Sequence, residues 1–418
     1  MNKRYKKVIL DNGIRLYVHS DKTMRKTLVS YTVDYGHNGI YYDFNYDGKD
    51  YHVLPGVAHF LEHLLLEKSP YGNLYNYFLS LKYNSNASTS VDRTMYYFTG
   101  VSRIKTSIKK MIYSIEKPQF NDEDIKDTSH AIEEETKRFA DDPYFLALIN
   151  NIRNSYKNFE FVHECLNVIG NEETTKKIDY DTLKLCYDAF YSDDRKIITI
   201  TGPIDEDDMI NYIKKLYKGI KPHKNKTKVY RPDNILEVRK KNDILKKDIE
   251  DDSIYIGYNA YLENYSKFEI EQYLRFMSLS KFSTKTKFYK ELNNKQILIN
   301  SYGIDTVYPY YDNNVNFFFE FRIRNKDLFL KEFHKELYKN EFNEYDFELF
   351  KKSIISNDIL RDEDKYTYYY ALPDNVLFHG EAIDKVEATK NLTFDKYIEF
   401  YNKLDFSNEV ITLLTKED

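Results

Sequence analysis

The sequence predicts an α+β fold built as two similar halves, and three observations carry that prediction. Strand and helix signals alternate through the N-terminal part of the chain. An Asn12-Gly13 pair lies between two apolar runs, a strong hairpin signal. The chain also repeats itself weakly. Gln119-Phe120-Asn121-Asp122-Glu123-Asp124-Ile125 is echoed by Glu341-Phe342-Asn343-Glu344-Tyr345-Asp346-Phe347, and Asp141-Asp142 by Glu363-Asp364 at the same offset of 222. Asp181 to Ile200 resembles Asp395 to Leu414, each a helix running into an apolar strand. At 418 residues the chain exceeds a single core, so at least two domains are expected. The polar, breaker-rich stretch Lys221-Pro222-His223-Lys224-Asn225-Lys226-Thr227 marks the linker. The expected division is 1–220, a linker at 221–232, and 233–418.

Taken in order, residues 7–10 and 14–19 form the two arms of the hairpin, and 28–35 reads as a strand. Val57, Phe60, Leu61, Leu64 and Leu65 recur at helical spacing, so they form the buried stripe of a helix. A second helix follows through 75–81, a strand through 96–101, and helices over 104–115 and 122–139. In the second half a helix near 269–279 occupies the place of the helix around Phe60.

Bulk composition excludes several function classes. Net charge is −5 and Lys and Arg are dispersed, so no nucleic-acid partner is expected. No run of 18 apolar residues exists, so no membrane span is expected. The N-terminus is basic but lacks the apolar core of a signal peptide. Cys165 and Cys186 are the sole cysteines, which suggests a reducing, cytoplasmic setting and two small buried hydrophobes rather than a disulfide.

The chemistry concentrates in His59-Phe60-Leu61-Glu62-His63. Residues three and four apart share a helical face, so His59 and His63 can grip one ion with Glu62 beside it. The order H-x-x-E-H reverses the common H-E-x-x-H signature of zinc proteases. Two histidines leave a catalytic zinc short of a third protein ligand. The acids Glu133, Glu134 and Glu135 follow later, and their residue types alone fit a solvated helix face equally well.

The segment Pro55-Gly56-Val57-Ala58-His59-Phe60-Leu61-Glu62-His63-Leu64 resembles the M16 inverted-zincin metallopeptidases, which include pitrilysin, insulin-degrading enzyme and the mitochondrial processing peptidase. The likeness extends to Asn86-Ala87-Ser88-Thr89, to Arg93-Thr94-Met95-Tyr96-Tyr97-Phe98, and to Asp141-Asp142-Pro143. It is nearest to the short bacterial members of the family. It implies two α/β-sandwich halves, each a mostly antiparallel sheet flanked by helices, that together form one half of a clamshell. It further implies one zinc ion per chain on His59, His63 and Glu135, the last standing eight positions before Pro143. Glu62 then acts as general base in a zinc endopeptidase, with Asn86, Ala87 and Ser88 on a strand that takes up extended peptide. Phe60 is either a core residue or a wall of the substrate pocket.

Two departures stand out. Family members often carry a Glu seven residues before the third ligand; Thr128 stands there, with Asp127 and His130 as candidates to support the metal ligands. Members with a complete site also draw an Arg and a Tyr, seven positions apart, from a catalytically silent half, whereas this chain has Asn293 and Asn300 at the matching places. Lys295 and Tyr302 have the same spacing but a shifted register. The resemblance therefore implies a heterodimer in which a second M16 subunit supplies those groups. The alternative from another class is a non-catalytic assembly or peptide-binding subunit of the same fold.

Overall fold

The computed structural model describes residues 5–37, 39–140, 142–157, 172–230, 236–307 and 314–417, so Cys165 lies outside the described residues. They form two compact units. The first takes the described residues of Met1–Lys137, His163–Arg231 and Arg361–Glu381; the second takes those of Arg138–Val162, Pro232–Leu360 and Ala382–Asp418.

In the first unit, strands β1 (Lys6–Ile9) and β2 (Arg15–Ser20) form the hairpin, with Gly13 at φ 100 in the turn. A positive φ there costs glycine little, because it has no Cβ to clash. Strand β3 (Thr27–Val33) is buried at every residue, as the core of a sheet must be. Next come β4 (Asp43–Tyr46), β5 (Lys49–His52), α1 (Val57–Glu67), α2 (Leu74–Ser80), β6 (Asn84–Thr89), β7 (Thr94–Gly100), α3 (Ile104–Glu116) and α4 (Asp122–Ala140). After the helix Tyr180–Phe190, the wholly buried β8 (Lys196–Gly202) completes a six-stranded sheet of order β1-β2-β8-β3-β7-β6. Only the β2–β8 pair is parallel. Helices α1 and α3 lie against it, with Phe60, Leu61, Leu64, Ile108 and Ile115 all 0 % exposed.

A small second sheet, β5-β4-β9, ends in β9 (Thr227–Val229), so these three residues of the stretch expected to be a linker add a strand to this unit. The β4–β5 turn at Asp47-Gly48 has φ 51 and 87, both left-handed, as a two-residue hairpin turn needs.

The second unit repeats the plan with one strand fewer. Strands β10 (Asn242–Lys247), β11 (Asp252–Tyr261), β12 (Leu298–Val307), β13 (Asn314–Ile323) and β14 (Val410–Lys416) form a sheet of order β10-β14-β11-β13-β12. Again one pair, β10–β14, is parallel and the rest are antiparallel. The helix Lys267–Phe282, opened by a Ser266/Glu269 capping box, packs on it through Tyr273, Leu274, Phe276 and Met277. The core is dense in phenylalanine, with Phe282, Phe319, Phe321, Phe329 and Phe333 at ring separations of 4.9–6.2 Å. Mostly antiparallel sheets flanked by helices, in two halves of one topology, are therefore the architecture of this chain.

No single cut in the sequence separates the units. Helix α5 (Pro143–Asn154) packs in the second unit, where Asn151 Nδ2 donates to the carbonyls of Tyr255 and Val410 at 3.1 Å each. Gly257 is required beneath it, since a Cβ would stand 2.5 Å from Asn151 Oδ1. Reciprocally, helices Lys365–Tyr370 and Leu372–His379 pack against β3 and β8 of the first unit. Pro143 and Lys365, which open the two segments, stand at the repeat offset, 365 − 143 = 222. Each half of the sequence thus supplies its equivalent helix to the other half's sheet.

Candidate active site

Helix α1 begins after Gly56, whose φ of 97 lets the chain turn sharply into the first helical residue. Its apolar stripe anchors it in the core, and that fixes the directions of His59, Glu62 and His63. His59 and Glu62 are each 6 % exposed; His63 is half-buried. Across from them, α4 brings in Glu135, whose Oε2 lies 3.7 Å from Nε2 of His59 and 3.7 Å from Nε2 of His63. The three donor atoms lie within 4.8 Å of one another and form the one such metal-capable group among the described residues. Tetrahedral zinc with bonds of roughly 2.0–2.1 Å spaces its ligands about 3.4 Å apart, so the two 3.7 Å edges to Glu135 stand within a few tenths of an ångström of that spacing. Two imidazole nitrogens and a carboxylate are a donor set that suits zinc.

The neighbouring acids turn elsewhere. Glu133 accepts from Ser129 Oγ at 3.3 Å, and Glu134 pairs with Lys137 at 2.8 Å. The choice among three consecutive acids thus follows from the rotation of α4.

The electrostatics differ at each position. Burial pushes His59 down to about 3, helped by the nearby His63 and His37, so its ring is neutral and able to bind a cation. Burial also disfavours charge on His63, but a hydrogen bond to Glu67 and the carboxylates of Glu62, Glu67 and Glu135 outweigh it and raise this histidine. A metal ion bound there would take the place of that proton. Burial raises Glu62, opposed by a hydrogen bond from Thr89 and by His63. Thr89 Oγ1 donates to Glu62 Oε2 at 2.7 Å, which leaves Oε1 to face other partners.

Among the residues singled out from the sequence, Asn86, Ala87 and Ser88 lie on β6, the edge of the six-stranded sheet. Asn86 is exposed, Ala87 buried and Ser88 half-buried. Strand β6 pairs with β7 alone among the described residues, from Asn84↔Thr99 through Thr89↔Thr94 without a shift. Phe60 is 0 % exposed; it packs in the core and presents no surface to a ligand.

A residue that the sequence alone did not single out orients one of the candidate ligands. Glu67 Oε1 sits 2.9 Å from Nδ1 of His63 and turns Nε2 toward Glu135. Its signal was present, since Glu67 lies four positions beyond His63 on the same face. The candidates Asp127 and His130 are both exposed, and Asp127 pairs with Lys68 at 3.0 Å. Thr128 is 2 % exposed, and neither its hydroxyl nor Nδ1 of His59 meets a hydrogen-bond partner among the described residues. Thr89 was quoted only for its motif, and its bond to Glu62 became visible once β6 was placed beside α1.

In the second unit, Asn293 Nδ2 donates to the carbonyls of Leu298 and Ile299 at 3.0 and 3.3 Å, and Asn300 Oδ1 accepts from Ser301 N at 2.9 Å. Asn293 thus ties the end of the helix Lys287–Asn294 to the start of β12, and Asn300 lies within β12 itself, beside a shift in its register.

A metal-capable His-His-Glu group on a duplicated, antiparallel-rich α+β fold marks the class of the inverted-motif metallopeptidases. Residues 48–161 match the family described as insulinase (peptidase family M16), and residues 177–354 match the peptidase M16 inactive domain. The chain belongs to the M16 peptidase family. It is 29 % identical over 243 residues to the uncharacterized zinc protease YmfH of Bacillus subtilis, a match covering 58 % of this chain and 54 % of that protein. It is 21 % identical over 264 residues to the uncharacterized zinc protease YmxG of the same organism, covering 62 % and 59 %. The chain thus spans little more than half the length of these two curated relatives. Among solved structures, an M16-like peptidase from Alicyclobacillus acidocaldarius superimposes with a TM-score of 0.88 at 18 % identity, covering 100 % of this chain and 99 % of that one. A protease from Helicobacter pylori gives 0.77 at 16 % identity, with 98 % and 99 % covered. No described helix is long and apolar enough to cross a membrane.

Proposed function

We propose that this chain is the catalytic subunit of a zinc-dependent endopeptidase that hydrolyses peptides or unfolded segments, with one zinc on His59, His63 and Glu135. The observation that carries the reading is the convergence of two imidazole nitrogens on one carboxylate oxygen, 3.7 Å from each, with Glu62 buried beside them and outside the triangle. Zinc in such a site supplies Lewis acidity, drawing the pKa of a water toward about 7 and polarising a carbonyl.

Glu62 does the proton work. Thr89 holds one oxygen of its carboxylate, and burial raises its proton affinity toward that of an effective base. The carboxylate accepts the proton of the attacking water and returns it to the leaving amine nitrogen. Glu67 keeps His63 in the orientation that points Nε2 inward. Strand β6 holds the peptide extended, since its outer edge offers main-chain groups to a new strand regardless of side-chain sequence. A specific precursor peptide and general peptide turnover both suit such recognition.

With Asn293 and Asn300 bonded to their own neighbouring backbone, a second M16 subunit provides the Arg and Tyr that clamp the peptide carbonyl, and the working enzyme is a heterodimer. A homodimer or monomer of this chain alone that cuts peptides at full rate would overturn that part. For the activity itself, hydrolysis of a quenched peptide in the presence of the partner should stop with a chelator. It should also fall about 100- to 10,000-fold in Glu62→Gln while zinc stays bound. Purified protein that takes up no zinc and cuts no peptide would refute it and leave the peptide-binding alternative standing, whereas an active Glu62→Gln would remove Glu62 from the role of base.

A further inference from the structure

The turn from β6 to β7 is gripped by a residue more than 280 positions away in sequence. Arg93 closes that turn and is 8 % exposed. Its Nε and Nη2 donate to the two carboxylate oxygens of Asp374, the second at 3.0 Å. The third nitrogen, Nη1, donates to Ser88 Oγ at 3.0 Å and reaches Ser88 O at 3.5 Å. A planar guanidinium thus spans from the helix Leu372–His379 to the last residues of β6. Ser88 is followed by Thr89, whose hydroxyl holds Glu62. The same segment touches the next position too: Tyr370 stands edge-on to Tyr97 at 5.0 Å, and Tyr97 is the cross-strand partner of Asn86.

Two further contacts tie the segment down at its other end. Tyr366 Oη accepts from Lys26 N at 2.9 Å, and the Tyr369 ring stacks on His19 at 4.9 Å. The segment is therefore anchored on β2 and the approach to β3, and it meets the far edge of the sheet through Tyr370 and Asp374. An edge strand has a neighbour on one side only, so its placement depends on whatever holds its turn. The charge-assisted, two-point grip on Arg93 holds this turn from one side, beside the backbone bond from His37 N to Ser90 O at 3.1 Å.

We propose that Asp374 is a positioning residue for the peptide-holding strand, acting through Arg93 to fix Ser88 and the end of β6. The proposal rests on the reading that β6 accepts the substrate. It assigns to the segment 361–381 a part in substrate binding in addition to its packing. Because the effect falls on binding of an extended chain in ground state and transition state alike, it is expected in KM more than in kcat.

The test uses the full chain carrying Glu62→Gln, so that peptide stays intact, together with its partner subunit, and a fluorescent peptide of about ten residues read by anisotropy. Adding Asp374→Asn should weaken binding about tenfold, the order expected for losing a charged hydrogen bond that orients the strand. Asp374→Glu should restore most of it. Arg93→Lys keeps the charge opposite Asp374 but cannot bridge to Ser88, so it should weaken binding as Asp374→Asn does with little change in melting temperature. It carries the test should Asp374→Asn fail to fold. Folded Asp374→Asn and Arg93→Lys proteins that bind the peptide like their parent would overturn the proposal. A Glu62→Gln parent that still hydrolyses the peptide would overturn the catalytic reading alone, with KM then reporting on Asp374. A parent that binds no peptide would sink both.

Discussion

The two units share a strand order and differ at the same two places. In the first, the helix beside the sheet carries His59, Glu62 and His63 opposite Glu135; in the second, the corresponding helix Lys267–Phe282 carries Tyr273, Leu274, Phe276 and Met277 into an aromatic core. That second helix also holds a half-buried carboxyl, Glu271, pushed up to about 7 by burial, with Asp305 adding to it. An acid of raised pKa is therefore present in both units, yet only one has metal donors around it among the described residues. A perturbed carboxyl alone does not make a site.

The edge strands differ as well. Strand β6 runs in register with β7 over its whole length, whereas β12 shifts against β13 twice, at Leu298/Asn300 and Ser301/Gly303, with Gly303 at φ 99. Bulges twist an edge away from incoming strands, so a regular edge accepts a peptide and a bulged one deflects it. The same scaffold occurs twice, and the metal-capable group and the unshifted edge strand occur together in one copy.

The largest test of this contrast removes the ligands. Glu135→Gln or His63→Ala should strip zinc and reduce peptide hydrolysis to background, while Glu271→Gln in the second unit leaves metal content and rate unchanged. Metal analysis beside a hydrolysis assay decides it, and a zinc-replete Glu135→Gln would break the contrast. Next in size, Glu67→Gln should weaken zinc affinity about 10- to 100-fold by releasing the His63 ring, as a competition titration with a chelating dye would read.

Peptides N-methylated at successive amides probe the edge. Methylation at amides that face β6 should raise KM about tenfold, since each removes one main-chain donor, and Tyr302→Pro in β12 should leave KM as it was. Equal sensitivity at every amide, or a KM change in Tyr302→Pro, would place the peptide elsewhere. The smallest effect concerns pH. Thr89 donates to the ionised form of Glu62 and so lowers a pKa that burial has raised. Thr89→Val should raise it further, so activity disappears at a higher pH as acid is added. The acidic limb of kcat/KM would move upward, and a limb that stays put or moves down would sever Thr89 from the base.

Much of the fold was legible because it rests on local rules. The Asn12-Gly13 turn, the buried run 28–33 and the spacing of Phe60, Leu61, Leu64 and Leu65 each encode their element within a few residues. The β4–β5 hairpin escaped notice although Asp47-Gly48 is a strong turn pair, because four-residue arms with a single fully buried residue, Phe44, give too short an alternation to read.

The sequence by itself determined that His59, Glu62 and His63 face one way, since helical periodicity needs no partner to act. It also determined that two copies of one plan follow each other. The family resemblance picked Glu135 from three consecutive acids, but the rotation of α4 that turns it toward those histidines, and the bonds of Thr89 to Glu62 and Glu67 to His63, were decided only by the tertiary structure. It alone revealed the reciprocal packing of 143–154 and 365–379 and the reach of Asp374 to Arg93. These are contacts between segments far apart in sequence, and they depend on packing angles and helix rotations that no local pattern of residues encodes.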